Sequence, residues 1–171
     1  TRCAEAGRIA KLLSTRYETS TPVDTIVCLG GLEVVGAFLA EELAKAGVLS
    51  MNAHKTIYIV TPEFNANGQM LFRDNIQHMV KNRNVVILMG SITTGVTLQQ
   101  CIESVLYYGG KITGVSSIFS AVNKIAGIDI NAVFYKQDVP DYESYSAEKC
   151  PMCKKKIKID AIVNGYGYSK L

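Results

Sequence analysis

Val85, Val86, Ile87 and Leu88 stand side by side with no polar residue between them. Neighbouring residues of a strand point to opposite faces, so four apolar residues in succession describe a strand covered on both sides. A chain that holds such a strand must also supply a layer above it and a layer below it. The stretch TLQQCIESVLYY, just downstream, offers one of them: Leu98, Cys101, Ile102 and Val105 fall on one helical stripe, and Gly109-Gly110 supplies a helix stop. Between run and helix lies GSITTGV, a burst of small and hydroxyl residues. The order is strand, tight loop, helix.

The same theme recurs. Strand-like runs stand at 25–29 (TIVCL), 56–60 (TIYIV), 85–89 (VVILM), 111–119 (KITGVSSIF) and 132–135 (AVFY), with helical patterns between most of them. In EVVGAFLAEELAKAG, Val35, Phe38, Leu39, Leu43 and Ala46 keep helical spacing and the pattern closes on Gly47. Such alternation predicts an α/β fold, doubly wound, with a mostly parallel sheet and right-handed crossovers that set helices on both faces. At 171 residues and 48% hydrophobic content, one core suffices. After residue 137 the character changes, with Pro140, Pro151, a lysine run and four of the nine tyrosines. This divides the chain into an α/β domain at 1–137 and a short irregular C-terminal appendage at 138–171 that is not an independent domain. Ligands of doubly wound folds lie at the carboxyl ends of the strands, so the loops after Leu29, Val60, Met89 and Phe119 are expected on one rim.

Charge narrows the class of partner. With 19% charged residues and a net charge of +3, the chain has no basic surface suited to a polyanion and no acidic tail, which argues against nucleic acid and membrane and for a small molecule. No apolar run approaches the roughly 18 residues of a spanning helix. The opening TRCAEAGRIAKLL mixes Arg2, Glu5, Arg8 and Lys11 with apolar positions, unlike a secretory signal, so a cytoplasmic protein is expected. The chain begins at Thr1 without a methionine, which leaves room for residues ahead of it. Five cysteines in a chain with this much core do not suggest a disulfide scaffold. Cys3, Cys28 and Cys101 sit in apolar patterns and read as small buried hydrophobes.

Two loops have the chemistry of anion cradles. Gly30-Gly31 in CLGGLEVVG permits positive φ and close backbone approach ahead of a helix N-terminus. In GSITTGVT, Thr93, Thr94 and Thr97 add hydroxyl donors to the backbone around Gly95. Neither loop has the Gly-Lys pair of a P-loop, and Gly30, Gly31 and Gly36 do not have the spacing of the dinucleotide fingerprint.

The pair of loops resembles the type I phosphoribosyltransferases, whose signature is an apolar strand, two acidic residues, two further residues and then Thr-Thr-Gly-x-Thr opening a helix. VVILMGSITTGVTL follows that pattern from Val85 to Leu98, and VCLGGLEVVGAFLAEEL is similar to the family's upstream pyrophosphate loop. Within the family the likeness is greatest to the orotate phosphoribosyltransferases, through CPMCK in the tail and YYGGKITGVSSIF. The resemblance implies that Ser91, Ile92, Thr93, Thr94, Gly95, Val96 and Thr97 surround the 5′-phosphate of phosphoribosyl pyrophosphate, and that Leu29, Gly30, Gly31 and Leu32 face its pyrophosphate. It further implies Mg²⁺, a nucleobase acceptor such as orotate, a place in pyrimidine nucleotide metabolism and a homodimer. Arg73 and His78 fall in the span where the family carries basic loop residues over the pyrophosphate. The two acidic residues of the signature align with Met89 and Gly90, which cannot accept hydrogen bonds from the ribose through a side chain. The acidic–arginine pair beside the family's base is absent too, since IFSAV offers only Ser120. These departures raise an alternative, a non-catalytic sensor or regulatory protein that binds a phosphorylated ribose or nucleotide.

Cys150 and Cys153 have the spacing of half a Zn²⁺ site, without a second pair nearby in sequence. Lys154, Lys155 and Lys156 would favour thiolates, which admits redox chemistry, although a thioredoxin-type pair belongs at a helix start after a strand, not in a tail. Metal, redox and no retained role all stay open at this point.

Overall fold

The apolar run at 85–88 forms the middle of the central strand. The computed structural model describes residues 2–17, 21–45, 50–66, 68–164 and 167–171. In chain order the elements are α1 (Cys3–Ser14), β1 (Thr25–Cys28), α2 (Glu33–Lys45), β2 (Tyr58–Val60), β3 (Glu63–Phe64), β4 (Met70–Leu71), α3 (Asp74–Gln77), β5 (Asn84–Ile92), α4 (Val96–Tyr107), β6 (Lys111–Ser120), β7 (Lys124–Ile125), β8 (Ile128–Tyr135), α5 (Pro151–Lys154), β9 (Ala161–Asn164) and β10 (Gly167–Lys170). The main sheet runs β2-β1-β5-β6-β8-β7, parallel throughout except for β7.

Alternation along β5 divides its side chains between two cores. Val85, Ile87 and Met89 join Val27 of β1 and Leu98, Cys101, Ile102 and Val105 of α4 on one face. Val86 and Leu88 join Ile26 and Cys28 on the other, under Ala6, Ala10 and Leu13 of α1 and Val35, Leu39 and Leu43 of α2. Each fully buried aliphatic side chain contributes about 1.5–3 kcal/mol, so both faces stabilise the strand and neither can be left bare. This is the doubly wound arrangement expected from the alternating pattern. The carboxyl ends of β1, β2, β5 and β6 share one edge, because the strands are parallel.

Two expectations need correction, and one connection was not anticipated. Cys3 is exposed: it is the first residue of α1, ahead of the Ala6, Ala10 and Leu13 stripe that meets the sheet. The connection from β6 to β8 carries no helix; residues 121–127 return through β7, and a turn with Ala126 at φ 50° and Gly127 at φ 80° reverses the chain into β8. The appendage is less irregular than its composition suggests, since β9 and β10 form an antiparallel hairpin and α5 adds one helical turn. The helix-closing positions Ala46 and Gly47 lie outside the described residues. Among the described residues, no helix is long and apolar enough to cross a membrane.

Candidate functional site

β1 and β5 are hydrogen-bonded neighbours, but their onward connections diverge. The chain leaves β1 through α2 to β2 on one side, and leaves β5 through α4 to β6 on the other, over the opposite face. A crevice therefore opens between their carboxyl ends, at the switch point where doubly wound folds take their ligands. The two loops singled out from composition, Gly30-Gly31 and Thr93-Thr94-Gly95, are the two that flank it. The ladder continues to their base, with Leu29 N donating to Leu88 O at 2.9 Å.

The loop after β5 is shaped by Gly95, at φ 83°. An L side chain is strained in that left-handed region, and a Cβ there would stand 1.8 Å from Cδ1 of Ile125. Three residues after β5 ends at Ile92, this glycine turns the chain into α4. It offers no side-chain cap, and the first helical bond runs from Gln99 N to Gly95 O at 2.9 Å. The amides of Val96, Thr97 and Leu98 consequently have no acceptor within the helix. A concavity of about 50 Å³ lies there, lined by Met89 and by Ser91 through Leu98. Ser91, Thr93, Thr94 and Thr97 are exposed on it, whereas Ile92 turns into the core and anchors the loop. Free amides, hydroxyl donors and the positive end of a helix dipole together suit one small anion.

The loop after β1 holds Gly30 at φ 70° and Gly31 at φ 79°. Behind it α2 sits close on β1, since a Cβ at Gly36 would meet Cys28 Sγ at 2.5 Å. Burial, with a smaller push from the Glu33 carboxylate, raises the Cys28 thiol to about 12, so it is an inert core group. Glu33 opens α2 two residues after Gly31, exposed, and its Oε1 accepts from Thr61 Oγ1 at 2.9 Å. This pairing was not legible in sequence: Glu33 belongs to an unremarkable helix start and Thr61 to the loop after β2, which only the sheet order brings alongside. A bare anion at Gly30-Gly31 would meet that carboxylate, whereas a hard divalent cation carried by the anion would be drawn to it.

Met89 and Gly90, the positions of the missing acidic pair, point to opposite faces. Met89 is 7% exposed and packs in the α4-side core beside Ser117, its register partner on β6. Ser117 Oγ is buried and has no hydrogen-bond partner among the described residues. Gly90 looks into open space, with nothing within 4 Å of a Cβ placed on it. Further along the rim, Phe119 at the end of β6 pairs with Tyr142 from the appendage, ring centroids 4.8 Å apart at 63°. Ser120 Oγ is already committed to Val122 O at 2.6 Å.

Other candidates lie elsewhere. His78 stacks edge-on against Tyr58, the first residue of β2 and so the end of the sheet opposite the loops. Arg73 is held by Glu63, with Nε to Oε2 at 2.9 Å and the ion pair closing at 2.5 Å. Between them the chain forms the short helix α3, while the residues before it pair as the β3–β4 hairpin. A cavity of about 670 Å³ between Met70, Leu71, Ser104, Tyr107 and Tyr108 lies along the later turns of α4, away from the crevice. Among the described residues no group of three or more His, Cys, Asp or Glu side chains gathers to hold a metal, so Cys150 and Cys153 stand as a pair.

No protein-family model matches the chain. Solved structures share its fold. A hypoxanthine phosphoribosyltransferase from Staphylococcus aureus superposes with a TM-score of 0.53 at 14% identity, over 82% of this chain and 74% of the other. An adenine phosphoribosyltransferase from Trypanosoma brucei, in complex with AMP, pyrophosphate and ribose-5-phosphate, gives 0.56 at 15% identity over 90% and 76%. The UMP synthase of Leishmania donovani gives 0.56 at 19% identity, over 82% of this chain and 29% of that larger protein. The architecture is thus one that phosphoribosyltransferases use.

Proposed function

We propose, on this shared architecture, that the chain binds phosphoribosyl pyrophosphate and transfers its phosphoribosyl group to a nucleobase, with orotate the first acceptor to test. The observation that carries the reading is the adjacency of the two glycine loops across the switch point, with neighbouring strands about 4.8 Å apart. A ribose carrying a phosphate at one end and a pyrophosphate at the other matches two anion cradles set side by side. Thr93, Thr94, Thr97 and the amides that open α4 take the 5′-phosphate; the Gly30-Gly31 backbone takes the pyrophosphate. Fixing both ends orients the anomeric carbon toward an acceptor, and such positioning is a large part of what catalysis of this displacement requires. The exposed Glu33 carboxylate suits Mg²⁺, which when bound would neutralise the pyrophosphate as it leaves. The Phe119–Tyr142 pair offers a flat apolar edge on which a base can stack. The exposed Ser91 hydroxyl adds a donor at the edge of the cradle, Ile92 and Val96 shape it, and Leu32 does the same for the other loop.

Calorimetric titration with phosphoribosyl pyrophosphate, with and without Mg²⁺, is the direct test, followed by pyrophosphate release with orotate, uracil and the purines. Mg²⁺-dependent binding with release for one base is the expected outcome. Binding without release for any base favours the second reading, a phosphoribosyl or nucleotide sensor, which Met89 and Gly90 motivate because they leave the ribose hydroxyls without carboxylate partners. Absence of affinity for any ribose phosphate would remove both.

A further inference from the structure

Phosphoribosyl transfer makes no use of Cys150 and Cys153. Cys150 directly precedes α5, Pro151 is the first residue of that turn, and Lys154 N donates to Cys150 O at 3.2 Å. The turn sets the two thiols three residues apart on one side of α5. Residues three apart on one helical turn have Cα atoms about 5–6 Å apart, inside the range a disulfide spans without backbone movement. Cys153 is exposed and Cys150 partly so, whereas Cys28 and Cys101 are buried. Three exposed lysines, Lys154, Lys155 and Lys156, follow directly.

The two sulfurs are unequal. Cys150 accepts from the Cys153 backbone N–H and, second, from the Cys153 thiol, which holds it below the usual thiol range. Cys153, donating to that sulfur, is pushed above it. An attacking thiol needs thiolate character and a resolving thiol needs proximity. α5 supplies the single turn that brings the two sulfurs together, although no strand leads directly into it.

We propose that Cys150 and Cys153 form a reversible dithiol–disulfide couple that exchanges with small disulfides of the glutathione type. The Cys150 thiol gives its proton to solvent and its thiolate attacks one sulfur of the disulfide. That S–S bond breaks, a new bond joins Cys150 to the small thiol, and the departing thiolate takes up a proton. Cys153 then loses its proton and attacks the Cys150 sulfur, closing the Cys150–Cys153 bond and releasing the second small thiol. Two electrons pass from the dithiol to the small disulfide, which leaves as two thiols.

The test uses the full chain, reduced, desalted and equilibrated without oxygen against graded ratios of reduced to oxidised glutathione, then alkylated and weighed by mass spectrometry. Both alkylation sites should disappear together in a single two-electron transition, with Cys28 and Cys101 unchanged. C153S should trap one glutathione on Cys150, C150S should form no internal disulfide, and Cys150 should react with iodoacetamide at pH 7 about tenfold faster than the exposed Cys3. Any of three results would overturn the couple: both thiols staying alkylatable across the series, C153S taking glutathione on Cys3 as readily as on Cys150, or bound zinc that must be chelated away before either cysteine reacts.

Discussion

Met89 and Gly90 are adjacent in sequence, yet the sheet makes them physically unlike. A carboxylate at 89 would replace a core side chain, with only the Ser117 hydroxyl in register beside it. It would lose the packing of the methionine and bear the desolvation of an acid. We expect M89D to lower the unfolding free energy by at least about 3 kcal/mol. At Gly90 a side chain meets open space, and G90D should stay within about 1 kcal/mol of the parent. Urea unfolding of the two variants measures the contrast; equal losses would mean that Met89 is not the core residue described. The signature's alignment to these two positions was readable from the chain, but their difference was not, because it depends on which face α4 covers.

At the scale of elements, the β5–α4 unit shows both what patterning conveys and where it stops. The apolar run, the hydroxyl loop and the stripe of Leu98, Cys101, Ile102 and Val105 were legible because each repeats with its own period. The extension of β5 through Ser91 and Ile92 was not, since those residues become strand only by pairing with Phe119 and Ser120 of β6. Nor was the contact between Gly95 and Ile125, which belongs to a connection with no helical pattern. G95A should cost about 1–3 kcal/mol through its left-handed backbone and the displaced isoleucine, and should weaken phosphate binding. In the G95A/I125A double variant the steric part is relieved while the backbone part persists. Calorimetry with ribose 5-phosphate beside thermal unfolding separates them; full recovery of both in the double variant would refute the backbone argument.

The whole molecule has a pH signature written in its two cores. Burial raises the thiols of Cys28 and Cys101 from 9.0 to about 12. Burial likewise raises the Tyr17 hydroxyl from 10.0 to about 12, opposed in part by its 2.7 Å bond with Ser116 Oγ. Below pH 9 these groups are protonated in folded and unfolded chains alike, and their contribution is intact. Between about 9 and 12 the unfolded chain releases protons that the folded one retains, so stability falls as pH rises, by up to about 1.4 kcal/mol per pH unit for each group. Urea unfolding at pH 8, 9, 10 and 11 should therefore show a decline that begins near pH 9 and steepens above 10. Replacing Cys28 and Cys101 with alanine should flatten that slope even though it lowers the overall level. An unchanged slope would assign the decline to other groups.

Periodicity is a property of the chain itself, and it determined the layers: strands covered on both sides, helices with one apolar stripe, and glycine where the backbone must turn. The two glycine loops were visible for the same reason, since glycine and threonine have local conformational and hydrogen-bonding roles that need no neighbours. Adjacency is a property of the sheet. Only the order β2-β1-β5-β6 set Gly30-Gly31 beside Thr93-Thr94-Gly95, brought Thr61 to Glu33, and left His78 at the far end of β2. Strand order follows from which faces can be buried together across the whole core, a sum over many distant contacts that no local window contains.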